Sequence, residues 1–224
     1  MNNSVPDDVA PNVIPSWLDQ FRERAPKLEV PPFLRPAPSA RPAAVLVLFG
    51  EGPEGPDVLL IQRAATLNKH AGQPAFPGGS IDPEDDGPVA AALREAQEET
   101  GVEPEGVTVL DSLPELYLSR SNFRVTPVAA WWHDPSEVAP GHPGEVAAVA
   151  RVPICELVDP ANRISLRTPG GFVSPAFKVR DLLVWGFTAG LLTNLLDAGG
   201  WSVPWDTGRI EDLPPDALSL AARG

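Results

Sequence analysis

Two nearly continuous apolar runs stand at residues 43–49 and 57–63, on either side of a turn rich in glycine and proline. Short apolar runs joined in this way predict paired strands that are buried on both faces. Further runs predict strands at 107–110, 115–118, 124–132 and 145–152, and a hairpin formed by 164–167 and 172–179. The chain therefore contains enough strands for a sizeable sheet.

Helical periodicity is found in fewer places. Near the start, four apolar residues recur at intervals of three and four, which predicts an amphipathic helix before a proline-rich connector. They are Ile14, Trp17, Leu18 and Phe21. Other helices are predicted at 88–100 and 181–198, with a weaker signal at 155–158. Residues 182–196 are apolar and uncharged but are only 15 in number, short of the ~20 that a membrane-spanning helix needs, so we expect a buried helix and no membrane partner.

Strands interleaved with a few helices predict an α/β (α+β) fold in which a mixed sheet carries helices on its faces. Composition then limits the function. The chain has 17 Lys and Arg against 30 Asp and Glu, a net charge of -13. Because this negative charge is repelled by the negatively charged phosphate backbone, nucleic-acid binding is not expected.

Two observations bear on the compartment. The first ten residues include two acids, no base and no apolar run, so we expect a cytoplasmic protein. Cys155 is the single cysteine, which excludes an internal disulfide. We interpret it as a buried structural thiol.

The predicted helix at 88–100 carries the chemistry. Glu95, Glu98 and Glu99 stand at i, i+3 and i+4, so three carboxylates are expected in one patch. Arg94 lies one turn before Glu98 and can pair with it, and Gly101 is a helix stop. A hard divalent cation relieves repulsion between such carboxylates, whereas an ordinary solvated helix face is the alternative interpretation.

Charge segregation favours the cation. Between residues 61 and 80 there are Arg63, Lys69 and His70 and no acids, while residues 81–101 hold seven acids and one arginine. An acidic segment that can bind a cation, next to a basic segment that can bind an anion, suits a metal-bridged phosphate substrate.

The same stretch resembles the Nudix box, whose usual form is G-x5-E-x7-R-E-U-x-E-E-x-G-U. The matching residues are Gly79, Asp85 and the segment REAQEETGV at 94–102. Asp85 replaces the first glutamate, and one extra residue precedes Arg94. Both departures resemble the coenzyme A pyrophosphatase branch of the Nudix hydrolases.

The segment before the box supports that branch. Residues 59–79, LLIQRAATLNKHAGQPAFPGG, are similar to the pattern L-L-T-x-R-S-x-x-L-R-x-H-x-G-E-V-A-F-P-G-G of this family. Later pieces at 123–128, 145–146, 152–153 and 185–189 also resemble it. The resemblance therefore covers about residues 40 to 198.

The resemblance implies a Nudix fold, with a mixed sheet sandwiched between helices, and Mg²⁺-dependent (or Mn²⁺-dependent) hydrolysis of the pyrophosphate bond of coenzyme A or an acyl-CoA. It implies metal ligands at Glu95, Glu98, Glu99 and Asp85. It implies catalytic roles for Arg94, Glu98 and Glu145, the last as general base or extra metal ligand. It implies substrate contacts from Arg63, Lys69, His70, Gly78 and Gly79.

Three segments follow from the extent of the resemblance. We expect an N-terminal helix and connector at 1–39, a Nudix hydrolase domain at 40–198 and a C-terminal tail at 199–224. Two alternatives stay open. One is a Nudix pyrophosphatase for ADP-ribose or another nucleoside diphosphate derivative. The other is a non-catalytic Nudix binding domain, which would be expected to have lost box carboxylates. The sequence leaves the oligomeric state open.

Overall fold

The computed structural model describes residues 13–37, 39–67, 71–119, 121–215 and 217. Its helices are α1 (Asp19–Arg24), α2 (Gly87–Thr100), α3 (Ile154–Val158) and α4 (Gly186–Gly199). Its strands are β1 (Arg41–Gly52), β2 (Gly55–Arg63), β3 (Pro74–Ala75), β4 (Gly78–Ser80), β5 (Val107–Ser112), β6 (Leu116–Leu118), β7 (Phe123–Trp132), β8 (Val146–Pro153), β9 (Arg163–Arg167), β10 (Val173–Val179), β11 (Leu182–Val184) and β12 (Ile210–Asp212).

The strand β1 organises the main sheet. It pairs antiparallel with β2 and β4 and parallel with β7, within the order β3-β2-β1-β7-β5. The strands β6 and β8 extend this eight-stranded sheet by pairing with β7 and β2. A smaller sheet has the order β11-β10-β9-β12 and contains the predicted hairpin. The predicted α+β class with a mixed sheet is confirmed, with a second sheet added.

Both faces of the main sheet are buried, as the apolar runs predict. Along β1, Leu46 and Leu48 face α2, whereas Val47 and Phe49 face the opposite layer. The strand β7 follows the same alternation with adjacent tryptophans, Trp132 on the α2 side and Trp131 on the other. Successive side chains of a strand point to opposite faces, so both indoles are buried only because helices cover both sides.

On one face, α2 lies close to the sheet because its inner residues are small. Ala91, Ala92 and Ala96 are fully buried there. The helix ends at Gly101, whose φ of 75° is left-handed and costs glycine little. The predicted helix and its stop are confirmed, with the start one residue earlier than expected.

On the other face, α1 and α4 cover the sheet through an aromatic cluster. Trp17 meets Trp131 edge-on at 5.8 Å between ring centroids, and Phe21 meets Phe49 at 4.8 Å. Trp201, just after α4, stacks on Phe21 at 6.0 Å. The N-terminal helix therefore belongs to the main core, although it precedes the expected boundary at residue 40.

The predicted helix at 181–198 is wrong over its first residues. Leu182–Val184 form β11 against β10. Arg180 turns the chain with a φ of 52°, and Gly186, with a φ of 64°, separates the strand from α4. An apolar run without polar interruptions does not distinguish a buried strand from a buried helix, so the periodicity extended the helix too far.

The predicted burial of Cys155 is also wrong, because its side chain is exposed. It lies on α3, which buries only Ile154 and Leu157.

The short strands β3, β4 and β12 were not predicted. Among the described residues, every helix falls short of the length and apolar character needed to span a bilayer.

Truncating Phe21 should destabilise the core of the main sheet, because α1 packs in that core. We expect Phe21→Ala to lower the free energy of unfolding by about 3–5 kcal/mol, the usual cost of removing a buried phenylalanine. Phe33→Ala is the matched control, since Phe33 is 72% exposed, and should change stability by less than about 1 kcal/mol. Urea unfolding measures both. Similar small losses in the two variants would show that α1 does not contribute to the core.

Candidate active site

The site lies where β4 meets the last turns of α2. The backbone N–H of Gly78 donates a hydrogen bond of 2.9 Å to Oε2 of Glu99. The other carboxylate oxygen lies 3.7 Å from the Arg63 guanidinium at the end of β2. Glu99 is only 5% exposed. Glu99, the residue before the buried Thr100 in the last turn of α2, is thus held against β4 instead of projecting into water.

The two glycines of β4 have packing reasons to lack side chains. A Cβ on Gly78 would overlap the carbonyl oxygen of Ala44 and lie 2.6 Å from the Cα of Val45, both backbone atoms of β1 that cannot move aside. A Cβ on Gly79 would overlap the Glu95 carboxylate. The Gly78-Gly79 pair therefore lets α2 carboxylates approach the strand closely, whatever its part in substrate binding.

Burial dominates the electrostatics of Glu99. It raises the pKa of the Glu99 carboxyl from 4.5 to about 7. The Gly78 N–H and the Arg63 charge lower this pKa, while the nearby charges of Glu95 and Glu145 raise it. Burial likewise raises the pKa of Glu95, against an opposing effect of Arg94. Burying an ionised carboxylate costs free energy unless a cation compensates its charge.

Arg94 gathers the carboxylates at the start of the box. Its Nε and one terminal nitrogen each donate to Asp85 at 3.0 Å, a bidentate pair. It also bonds Glu98 at 3.1 Å, as the i, i+4 spacing predicts, and lies 3.2 Å from Glu95. Arg94 also donates a hydrogen bond of 3.3 Å to the carbonyl of Ser80, which attaches the end of β4 to the helix.

Asp85 is fully engaged in this pairing. Besides both bonds from Arg94, it accepts a hydrogen bond of 2.8 Å from the Asp82 N–H. These bonds lower the pKa of Asp85, with the Arg94 contribution the larger. The geometry thus directs Asp85 toward Arg94, whereas the resemblance implied a metal ligand.

The carboxylates of α2 have different partners in the structure. Among the residues that the structure describes, no three histidine, cysteine, aspartate or glutamate side chains are arranged to hold a metal ion. A joint metal site formed by Glu95, Glu98 and Glu99 stays a prediction. Glu98 pairs with Arg94 and is half exposed, while the Glu99 carboxylate accepts the hydrogen bond from Gly78.

The remaining predicted residues divide into two groups. Arg63 and Glu145 lie beside Glu99: Arg63 as its ion-pair partner, and Glu145 on the turn before β8, where its charge acts on Glu99. Glu145 itself is exposed. Lys69 and His70 lie outside the described residues.

Two contacts near the site were not predicted. Gly141 donates its N–H to the carbonyl of Glu99 at 3.0 Å, so the loop before β8 rests on the end of α2. The buried hydroxyl of Thr188 on α4 donates to the carbonyl of Pro74 at 3.0 Å and holds the segment that leads into β4. A glycine in a turn and a threonine in a helix are too common for either contact to be found from sequence.

The chain combines a mixed sheet with a glycine-containing strand beside an acidic helix. Comparison with known proteins identifies the family that has this arrangement. The family model described as the NUDIX domain matches residues 39–175. The chain belongs to the Nudix family and is a Nudix hydrolase, which confirms the resemblance of the box.

Relatives agree over most of the chain. The Nudix hydrolase NudL of Cronobacter sakazakii, described as uncharacterised, is 41% identical over 186 residues, 81% of this chain and 94% of its own. NudL of Pectobacterium atrosepticum is 40% identical over 176 residues, 75% of this chain and 88% of its own. Among solved structures, the Nudix hydrolase RenU of M. smegmatis is 29% identical and covers 54% of this chain and 74% of its own, with a TM-score of 0.45.

The raised pKa of Glu99 predicts how stability depends on pH without metal. Because the folded carboxyl titrates near 7 and the ordinary value is 4.5, the folded state holds an extra proton between these values. Its contribution to stability is complete below pH 4.5 and is lost as pH rises through 7. We therefore expect the parent to lose more stability than Glu99→Gln between pH 5 and pH 8, measured by urea unfolding in a chelator. Equal losses would contradict a costly buried charge at this position.

Proposed function

We propose that this Nudix hydrolase cleaves the pyrophosphate bond of coenzyme A, with Mg²⁺, to 3′,5′-ADP and 4′-phosphopantetheine, or to its acyl derivative from an acyl-CoA. The carrying observation is the position of residues 59–79, the segment similar to the coenzyme A branch. The described part of that segment runs along β2 and β3 into β4, where Gly78 donates its N–H to Glu99. The residues that suggest the substrate thus adjoin the buried carboxylate.

The side chains at the site fit a hard divalent cation. Mg²⁺ binds oxygen ligands and is commonly held by one or two carboxylates together with water and substrate phosphates, so a preformed cage of three side chains is not required. Glu99 and Glu95 are the two α2 carboxylates whose pKa values burial raises. We assign the metal to these two, with Glu98 as a further ligand. The ion would neutralise diphosphate charge and acidify the attacking water.

Arg63 and Arg94 have different parts in this proposal. The side chain of Arg63 keeps 27% of its surface exposed beside Glu99, where its charge would face the diphosphate. Arg94 is occupied by Asp85 and Glu98. We assign it to holding the α2 carboxylates and the loop after β4 in place, which orients the reacting groups without contact with substrate.

Glu145 is the proposed general base or additional metal ligand. It is exposed to solvent, from which the attacking water comes, and its charge acts on Glu99. A carboxylate within reach of a metal-activated water can accept its proton.

Removing the Glu99 charge tests the metal assignment. Glu99→Gln can still accept the Gly78 N–H but cannot bind a cation as a carboxylate does, so turnover should fall by more than the roughly 10- to 100-fold typical of losing an outer-sphere partner. The stabilisation that Mg²⁺ gives in thermal melting should be lost as well. Glu103→Gln, at an exposed carboxylate just beyond α2, is the control and should match the parent. Near-parental turnover and metal stabilisation in Glu99→Gln would contradict the assignment.

A substrate panel tests the specificity. Purified protein with Mg²⁺ is given coenzyme A, dephospho-CoA, an acyl-CoA, NADH and ADP-ribose, and products are identified by mass. We expect coenzyme A to be preferred over dephospho-CoA by about tenfold to a hundredfold, because a charge-assisted contact to the 3′-phosphate from Arg63, Lys69 or His70 contributes roughly 1.5–3 kcal/mol. Equal cleavage of the two would remove the proposed 3′-phosphate contact. A preference for ADP-ribose would replace coenzyme A with the broader nucleoside diphosphate class.

A further inference from the structure

The loop before β8 is docked on the C-terminal end of α2. Ala139 donates its N–H to the carbonyl of Thr100 at 3.0 Å, and Gly141 donates to the carbonyl of Glu99 at the same distance. The last carbonyls of a helix have no partner within the helix, so these two bonds satisfy groups that would otherwise need water. Val138 packs against the apolar cluster beneath α2. The loop is therefore attached to the same helix turn that carries Glu99.

Gly141 makes this attachment possible because it has no side chain. A Cβ at this position would overlap the carbonyl oxygen of Glu98 and lie 3.0 Å from the carbonyl carbon. Both atoms belong to the helix backbone, which cannot move without breaking helical hydrogen bonds. Any larger residue must lift the loop away from α2.

The other end of the loop is attached to the residue that follows β2. The carbonyl of Glu145 accepts a hydrogen bond of 2.8 Å from the N–H of Ala64, the neighbour of Arg63. The N–H of Glu145 donates to the carbonyl of His142 at 2.8 Å, closing a turn between the two attachments. Only three residues separate Gly141 from Glu145, so a shift at Gly141 is transmitted directly to Glu145.

We propose that Gly141 is a positioning residue for the hydrolytic reaction: its contact with the carbonyls of Glu98 and Glu99 holds Glu145 at a set place beside the α2 carboxylates. This inference rests on the proposed function, in which Glu145 acts on the attacking water or the metal. The Glu99 peptide then links the two groups, since its side chain lies under Gly78 while its carbonyl holds the loop.

The test compares two glycines of the same loop. Gly141→Ala should lower kcat by roughly 10- to 100-fold, the scale expected when a reacting group is misplaced by about 1 Å, with KM for the diphosphate substrate little changed. Gly144→Ala is the matched control, because a Cβ at Gly144 has open space around it, and it should keep parental kcat. Circular dichroism and thermal melting establish that each variant is folded. Equal kcat values for the two folded variants would overturn the proposal.

A double-mutant cycle separates positioning from general damage. If Gly141 acts through Glu145, Gly141→Ala should add little loss of kcat in a Glu145→Gln background, whereas fully additive losses, or a Glu145→Gln variant with parental kcat, would overturn the inference. Should Gly141→Ala fail to fold, a single glycine inserted between Pro143 and Gly144 frees Glu145 while leaving the Gly141 contact in place. The inserted variant should show the same loss of kcat, and parental kcat there would contradict the proposal.

The assay uses the substrate that the parent cleaves best in the panel. Cleavage of ADP-ribose in place of coenzyme A would overturn the proposed substrate, yet the comparison of Gly141→Ala with Gly144→Ala would proceed unchanged on ADP-ribose and would support the positioning role if the difference in kcat persists. The two failures are therefore distinguishable.

Discussion

The burial of the Glu99 carboxylate is the constraint on which the site depends. An ion taken out of water needs compensation, and here one backbone N–H from Gly78 and one guanidinium from Arg63 supply it only in part, because the pKa of Glu99 still rises to about 7. The burial itself requires a helix close to the sheet, which the alanine face of α2 allows, and a strand without side chains above it. The rest of the unfavourable free energy is what a bound cation would remove.

Two arginines pair with the carboxylates of the site. Arg94 holds Asp85 and Glu98, and Arg63 faces Glu99. Arg94 compensates the charges of Glu95 and Glu98 together, and its bonds to Asp85 attach the loop after β4 to α2. In the proposed function, negative charge placed in advance in this way would let metal and substrate bind with little reorganisation.

Much of the fold could be predicted because its main elements have long, regular patterns: the strands at 43–49 and 57–63 and the helix at 88–100 are all confirmed. The pairing of Arg94 with Glu98 followed from helical spacing alone. The start of α4 could not be located, since an apolar run satisfies a strand and a helix equally. The pairing of Asp85 with Arg94 was also missed, because it depends on how the loop between β4 and α2 folds back onto the helix.

The site illustrates the same limit. That α2 carries acids was evident from sequence, but only tertiary packing separates the buried Glu99 from the exposed Glu98.

Diffraction from crystals grown with Mn²⁺ tests the central claim most directly, through the anomalous signal of the metal. The account predicts a manganese ion coordinated directly by carboxylate oxygens of Glu99 and Glu95. Manganese bound elsewhere, with Glu99 still held only by Gly78 and Arg63, would contradict it.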